Sequence, residues 1–252
     1  MENNWIINVE DLCYRYPGFE LKNISFNIKK GERFALVGPN GAGKTTIFRL
    51  LINLNKATSG SIKIFGQKLS KKTEWDIRKQ IGYLFQNPED QIFSPTVREE
   101  VAFGPRNLGY NQEKVEYLIE HSLKHVQMYE YINHSPNNLS WGQKKRVALA
   151  SILAMEPKIL LLDEPFVNLD NKSIINLFNI LERLRKGHDQ TILFTSHNYF
   201  FVENWADKML VMNNGENIYY GDPKQGLNKE NVLKAIGDLN EINHLLTNKN
   251  DE

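Results

Sequence analysis

The strongest constraint on this 252-residue chain is the stretch 38–45, Gly-Pro-Asn-Gly-Ala-Gly-Lys-Thr. It satisfies the pattern G-x-x-x-x-G-K-[ST] and lies between a predicted strand, 34–37, and a predicted helix, 46–52. Glycines in such a loop let backbone N–H groups converge on phosphate oxygens, and the helix N-terminus adds positive potential. Lys44 would reach the β- and γ-phosphates, and Thr45 would ligate magnesium. The stretch predicts a nucleoside triphosphate site rather than a flexible glycine-rich loop.

A second pattern is the apolar strand Ile159–Leu162, which ends in two adjacent acids, Asp163 and Glu164. Strand side chains alternate in direction, so the two carboxylates point to different sides and can have different roles. Asp163 is suited to hold magnesium, and Glu164 to polarise the water that attacks the γ-phosphate. An apolar strand capped by acids is often purely structural. Beside a phosphate-binding loop, it predicts hydrolysis.

Composition excludes several other classes of protein. The chain is 41% hydrophobic and 24% charged, with a mean hydropathy of −0.47, and it lacks the roughly 18 continuous apolar residues of a membrane-spanning helix. The N-terminus shows no secretory signal pattern, so a cytoplasmic location is expected. Cys13, the single cysteine, precludes an internal disulfide and is interpreted as core filler. A formal net charge of +1 gives no strong attraction to nucleic acid.

Hydrophobic periodicity predicts an α/β protein. Strand patterns cover 5–9, 12–16, 24–28, 34–37, 61–65 and 81–85, and a helical insert covers about 96–156. The runs 158–162 and 191–195 flank a helical pattern, 174–184, which indicates parallel strands with helices on the sheet faces. A hairpin is predicted at 209–220. We expect one domain over 1–227 and a polar tail over 228–252, to which no function is assigned; the tail carries one weak helical stripe through Val232, Ile236, Leu239, Ile242 and Leu246.

A third motif, Leu139–Gln143, precedes a helical run at 144–154, with Ser140 as a good N-cap. With this motif the chain resembles, over roughly 5–225, the ATP-binding cassette family of ATPases. The residues that carry the resemblance appear in the family's order: 38–45, Gln86, 139–143, 159–164, Asn168-Leu169-Asp170 and His197. The resemblance implies a P-loop NTPase (RecA-like) parallel sheet core with an N-terminal antiparallel β subdomain and the inserted α-helical subdomain.

The resemblance also implies a role for each site residue. His197 would be the switch residue at the γ-phosphate beside the catalytic Glu164, and Asp170 would contact a partner ATPase across a dimer interface. Gln86 would ligate magnesium and water and sense the membrane subunit. Thr45, Gln86 and Asp163 would therefore hold Mg²⁺. The signature residues would contact ATP on the partner in trans: Ser140, Trp141, Gly142 and Gln143. The ATP-binding residues would be Tyr16, Gly38, Pro39, Asn40, Gly41, Ala42, Gly43, Lys44, Thr45 and Thr46.

Tyr14 and Tyr16 lie on one face of a predicted strand, and either ring could stack on adenine. The family's placement selects Tyr16. A core or surface aromatic remains the alternative for Tyr16, because strands favour tyrosine.

A narrower resemblance lies in the stretches 85–97 and 101–105, which are similar to the ATPases of energy-coupling factor transporters and their cobalt-importer relatives. It implies a peripheral protein at the cytoplasmic face of the cell membrane. Its partners would be a second ATPase, identical or related, a transmembrane coupling subunit and a substrate-binding membrane subunit, with no nucleic acid. The cargo would be a vitamin or a transition metal ion. The alternative is a soluble ATPase acting on ribosomes or DNA, which the single P-loop and the lack of a long coiled-coil insertion disfavour.

Three residues depart from the family pattern: Trp141 stands where the signature usually has glycine, Phe166 replaces a usual threonine, and Asn168 occupies a position that is often small. None supplies a catalytic atom. We expect the bulk of Trp141 near the partner's γ-phosphate to slow hydrolysis. The complete set Lys44, Gln86, Asp163, Glu164 and His197 nevertheless predicts genuine turnover rather than a binding-only regulator.

Overall fold

A computed structural model describes residues 5–188 and 190–237 and contains two β-sheets in this part of the chain. The smaller sheet is antiparallel and has the strand order β2-β1-β4-β5. Its strands are β1 (Trp5–Tyr16), β2 (Phe19–Lys29), β4 (Ser59–Ile64) and β5 (Gln67–Lys68). The expected β-rich N-terminal unit is therefore present, although the assigned domain limits stay a prediction.

The larger sheet has six strands in the order β10-β9-β3-β8-β7-β6. All neighbours in it are parallel except β10, which pairs with β9 as an antiparallel hairpin. Strands β7 and β8 are buried along their whole length, as continuous apolar runs in a parallel sheet should be. The strands are β3 (Arg33–Val37), β6 (Ile81–Leu84), β7 (Ile159–Leu162), β8 (Thr191–Thr195), β9 (Lys208–Asn213) and β10 (Glu216–Gly221).

Nine α-helices occur within the described ranges. They are α1 (Lys44–Leu51), α2 (Glu74–Arg78), α3 (Val97–Asn107), α4 (Gln112–His125), α5 (Trp141–Leu153), α6 (Asn171–His188), α7 (Tyr199–Trp205), α8 (Pro223–Leu227) and α9 (Glu230–Ile236). The short helices α2, α7 and α8 were not predicted, because each is too brief to show a clear apolar period. None of the helices in these ranges combines the length and hydropathy of a membrane span.

The first strand differs from its prediction. The patterns 5–9 and 12–16 belong to a single strand, β1, whose pairing with β2 shifts register between Val9 and Leu12. Asp11, inside the irregularity, has φ of 46°, so the chain continues through a local kink rather than a turn. Cys13 follows the kink and is only half-buried, with Sγ 3.2 Å from Asn23 Oδ1. It is therefore not core filler.

The helices α3, α4 and α5 form the predicted helical insert. One face of α4 is buried: Val115, Leu118, Ile119, Ser122 and Leu123. It contributes to one hydrophobic core with the apolar faces of α3 and α5. In the tail, α9 carries Val232, which is fully buried, and Ile236; the remaining stripe residues Leu239, Ile242 and Leu246 lie outside the described residues.

Candidate functional site

The loop between β3 and α1 is the foundation of the site. A Cβ at Gly38, where φ is 150°, would lie 2.2 Å from the carbonyl oxygen of Met212 in β9, so only glycine fits against that strand. Gly43 is the N-cap of α1, with φ of 107° and no side-chain cap. The first N–H groups of α1 therefore have no side-chain acceptor and are available to an anion.

Lys44 lies inside this loop, with only 7% of its surface exposed. Its Nζ donates hydrogen bonds to the carbonyl oxygens of Gly38 (2.7 Å) and Pro39 (3.0 Å). Burial lowers the pKa of the Lys44 ammonium, while the carboxylates of Glu164 and Asp163 oppose this effect. The loop thus holds its cation against its own backbone, where an incoming phosphate could take over the bonds.

Asp163 is held by hydroxyl groups from three elements. Its Oδ2 accepts from Thr45 Oγ1 (2.8 Å) and from Tyr83 OH (3.2 Å), and its Oδ1 accepts from Thr195 Oγ1 (2.8 Å). Burial of the Tyr83 phenol raises its pKa, and the charge of Asp163 adds to this effect. Sequence reasoning anticipated Thr45 but missed Tyr83 and Thr195. Tyr83 lies on β6 and Thr195 on β8, the two neighbours of β7 in the parallel sheet. This adjacency was the only signal in the sequence that could have pointed to them.

Glu164 follows Asp163 with its backbone in the left-handed region, φ 44°. Its N–H donates to Thr195 Oγ1 at 2.7 Å, and its Oε1 lies 2.9 Å from His197 Nε2. Burial raises the pKa of the Glu164 carboxyl, and burial lowers the pKa of the His197 imidazole. The Glu164 carboxyl is therefore buried and more basic than usual, while the His197 side chain that it meets is 43% exposed.

These groups converge on one cavity of about 150 Å³, which is lined by the loop, both acids and His197. Its lining contains most of the predicted site residues and one that was not predicted, Phe19: Tyr16, Phe19, Asn40, Gly41, Gly43, Lys44, Thr45, Thr46, Gln86, Asp163, Glu164 and His197. Gly38 and Pro39 contribute through the carbonyls that Lys44 binds, and Ala42 is buried in the loop with its N–H on Pro39 O. The signature residues are not among the described residues that line this cavity.

At the mouth of the cavity, Tyr16 is 45% exposed, and its ring centroid lies 5.3 Å from that of Phe19. The two rings are inclined by 31° and form an apolar surface beside the phosphate loop. Such a surface suits a purine ring. Adenine stacking on Tyr16 stays a prediction, which a loss of nucleotide affinity in Tyr16→Ala would support.

The signature motif lies at the start of α5, as predicted, although the helix begins at Trp141 rather than at 144. Ser140 and Gln143 form a reciprocal capping box, with Gln143 Oε1 accepting from Ser140 N at 2.8 Å. A Cβ at Gly142 would lie 2.7 Å from Ser173 Oγ on α6. Asp170 caps α6 by accepting from Ser173 N at 2.8 Å. The signature and Asp170 therefore meet at one surface, apart from the nucleotide cavity.

Two of the three departures from the family pattern, Phe166 and Asn168, have local explanations. Phe166 is buried and stacks on Phe201 of α7, with ring centroids 4.3 Å apart. Asn168 adopts φ of 61°, a conformation that asparagine tolerates better than most residues. Trp141 is half-buried, and its Nε1 is buried without a hydrogen-bond partner in the described part of the chain. The indole is therefore only partly available to a partner.

For Trp141 we predict that Trp141→Gly increases ATP turnover several-fold, because it removes bulk from the surface on which a partner's γ-phosphate would rest. The measurement is phosphate release at saturating ATP. Trp75→Gly serves as the matched control, since Trp75 is an exposed tryptophan on α2. An unchanged rate in Trp141→Gly would remove the hypothesis that this side chain slows hydrolysis.

Magnesium was expected at Thr45, Gln86 and Asp163, and these residues fit such an ion by their chemistry. All three offer oxygen ligands and line the same cavity, and Thr45 Oγ1 lies 2.8 Å from Asp163 Oδ2. Mg²⁺ favours one or two protein oxygens together with substrate phosphates and water. The set is therefore suited to magnesium that arrives with a nucleotide.

Comparison with known proteins gives a consistent result. Residues 21–167 match the family model described as ABC transporter. The chain is 43% identical over 254 residues to an energy-coupling factor transporter ATP-binding protein, EcfA, of Methanocaldococcus jannaschii; the match covers 98% of this chain and 91% of that protein. A second EcfA protein, from Methanothermobacter thermautotrophicus, is 44% identical, with 86% of this chain and 71% of that protein covered.

Two solved structures resemble the fold. One is cbiO1 from Clostridium perfringens, part of the ABC transporter complex cbiONQ, with a TM-score of 0.83, 34% identity and coverage of 97% of this chain and 100% of that one. The other is an ATP-binding cassette in a dimeric post-hydrolysis state bound to ADP and Pi, with a TM-score of 0.76 and 28% identity; it covers 86% of this chain and 98% of that one.

Proposed function

The chain belongs to the ABC transporter family, and from that premise we propose that it is the ATP-binding and ATP-hydrolysing subunit of an energy-coupling factor importer. It drives uptake of a vitamin or a transition metal ion through a transmembrane partner. The observation that carries the proposal is the single cavity that unites Lys44, Asp163, Glu164 and His197. The relatives named as energy-coupling factor ATPases support the transporter class over an ATPase of ribosomes or DNA.

In this proposal, the phosphates of ATP bind at the N-terminus of α1. Lys44 Nζ exchanges its bonds to the Gly38 and Pro39 carbonyls for phosphate oxygens, and the free N–H groups of the loop bind the remaining charge. The loop backbone is in place before the nucleotide arrives, and Lys44 exchanges its bonds on binding. Little further reorganisation is then needed as charge builds on the γ-phosphate.

Glu164 orients the attacking water and accepts its proton, a task favoured by a buried carboxyl with a raised pKa. His197 lies against that carboxylate and fixes its direction toward the γ-phosphate. Magnesium, when bound through Thr45, Gln86 and Asp163, would neutralise phosphate charge and orient the triphosphate. Tyr83 and Thr195 keep Asp163 in place for this role.

A second ATPase completes the site. The capped start of α5 presents its first N–H groups on a surface shared with Asp170, where the γ-phosphate of a partner's ATP would bind. The similar ATP-binding cassette solved as a dimer with ADP and Pi supports pairing of two ATPase subunits. We propose a dimer with a related chain rather than an identical copy, in keeping with the subfamily resemblance.

Contact with the membrane partner is proposed at a second cavity, of about 450 Å³. It shares Thr45, Gln86 and Asp163 with the nucleotide cavity, so a single wall separates the two. Beyond the Gln86 loop, Phe93 is 66% exposed and packs edge-on against Phe103, with centroids 4.7 Å apart. This exposed pair of aromatic rings beside the second cavity supports a protein contact there.

The test is a gentle detergent pull-down of the tagged chain from its own cells, followed by mass spectrometry. We expect a multi-span membrane protein and a second ATPase to co-purify, and a small substrate-binding membrane subunit beside them would name the cargo. Phe93→Asp should lose the membrane protein. Tyr117→Asp, which changes an exposed aromatic on α4, should retain it.

Recovery of only ribosomal or DNA-bound proteins would replace the importer with a soluble mechanical ATPase. Equal recovery of the membrane protein with Phe93→Asp would leave the importer intact but remove the proposed contact surface.

A further inference from the structure

Lys145 is a charged residue in an unusual place. It lies on α5, and its relative exposure is 0%. Lysine is almost never fully buried unless its ammonium is paired, because removing the charge from water is costly. Burial lowers the pKa of Lys145 to about 8, although Glu164 and Asp163 oppose the shift. The mechanism described above does not use this residue.

The ammonium of Lys145 binds the backbone of Glu164 rather than its carboxylate. Lys145 Nζ donates to Glu164 O at 3.1 Å. The same carbonyl accepts from Val167 N at 3.2 Å, and the N–H of Glu164 donates to Thr195 Oγ1. Both peptide groups of Glu164 are therefore held from outside the residue.

The backbone of Glu164 adopts a conformation that needs these hydrogen bonds. Glu164 has φ of 44°, which costs an L-residue other than glycine on the order of 1 kcal/mol or more and persists only where the surroundings enforce it. The direction of the carboxylate depends on that backbone conformation, as does its 2.9 Å approach to His197. Loss of a backbone anchor would displace the carboxylate without removing it.

The position of Lys145 on its helix adds a second consequence. The helix α5 begins at Trp141, directly after the capping Ser140, and Lys145 follows within its second turn. Successive turns of a helix are joined by i→i−4 hydrogen bonds, and rigid secondary-structure elements of this kind carry coupling between sites. The surface expected to bind a partner's ATP is thus joined by one rigid element to the backbone of Glu164 in this chain's own cavity.

We propose that Lys145 is a positioning residue for ATP hydrolysis, which holds the backbone of Glu164 in its active conformation and ties it to the signature end of α5. The inference rests on the proposed function, since it assigns the residue a part in the same reaction. Closure on the partner's nucleotide at the start of α5 adjusts the catalytic glutamate through Lys145, which lies in the second turn of the same helix.

The test compares Lys145→Met with Lys145→Arg. Methionine keeps the length of the side chain and suits a buried site, but it cannot donate a hydrogen bond to Glu164 O. We expect kcat to fall at least about tenfold with KM within about twofold, because small misplacements of a reacting group lower rate rather than binding. Lys145→Arg keeps charged donors and should recover much of the rate. Lys114→Met, which removes a surface lysine paired with Glu156, should retain the parent rate.

A second measurement separates positioning from folding. In the Glu164→Gln background, Lys145→Met should leave ATP-promoted dimer formation unchanged, since the signature end of α5 stays intact. Loss of the dimer together with ATP affinity would make Lys145 a folding residue and overturn the inference, as would a parent kcat in Lys145→Met. Failure of the parent itself to release phosphate in its complex would instead overturn the proposed function.

Discussion

Glu164→Gln is expected to reduce ATP hydrolysis at least about 100-fold while ATP binding persists, because loss of a general base typically costs 10²–10⁴ in rate. Glutamine has nearly the same shape, and the backbone bonds to Thr195 and Lys145 do not depend on the side chain. What disappears is the carboxylate that accepts a proton from water. The variant should therefore accumulate an ATP-bound dimer. Phosphate release measures the first effect, and light scattering with and without ATP measures the second.

The matched control for that experiment is Glu156→Gln, which makes the same change in an exposed carboxylate paired with Lys114. It should hydrolyse ATP at the parent rate. Parent turnover in Glu164→Gln would show that another group activates water, and a variant in which ATP no longer promotes a dimer would contradict the trapping mechanism.

Lys44→Met is expected to weaken ATP binding about 100-fold, equivalent to about 2.8 kcal/mol. A charge-assisted hydrogen bond contributes about 1.5–3 kcal/mol, and Lys44 is the cation held within the phosphate loop. Titration with a fluorescent ATP analogue gives the affinity directly. Because Lys44 also binds the Gly38 and Pro39 carbonyls, a thermal melt of the variant is needed to confirm that the fold survives.

Lys22→Met is the control for Lys44→Met, since Lys22 forms an exposed pair with Glu216. Lys44→Arg supplies a further comparison, because it keeps the charge but has a planar head that does not fit the space of an ammonium. It should also bind ATP poorly. Parent affinity in Lys44→Met, with the fold intact, would show that the nucleotide binds elsewhere.

The phosphate loop and the Asp163–Glu164 pair were predictable because their signals are local. Each occupies a short stretch whose function depends on its flanking strand or helix, and both flanks are readable from hydrophobic periodicity. The hairpin at Asn214-Gly215 was predictable for the same reason, because Asn-Gly favours the positive φ of a tight hairpin turn. In the structure the two residues adopt φ of 48° and 77°.

Contacts between distant residues were not predictable. The bond from Tyr83 to Asp163 spans 80 positions, and that from Lys145 to Glu164 joins a helix to a strand end. Nothing in the pattern of α5 indicates that one lysine of a Lys-Lys pair is buried while the other reaches Glu89 at the surface. The short helix α7 was too brief to be recognised from its pattern, and its packing on Phe166 is a tertiary contact that no local pattern reveals.

The wall formed by Thr45, Gln86 and Asp163 between the two cavities has a thermodynamic consequence. If a partner bound in one cavity changes the affinity for ATP in the other, ATP must change the affinity for that partner by the same factor. If the partner raises the affinity for ATP tenfold, ATP raises the affinity for the partner tenfold, whatever motion links the two cavities. Dissociation of ATP would then weaken binding of the partner by the same factor by which the partner had strengthened binding of ATP.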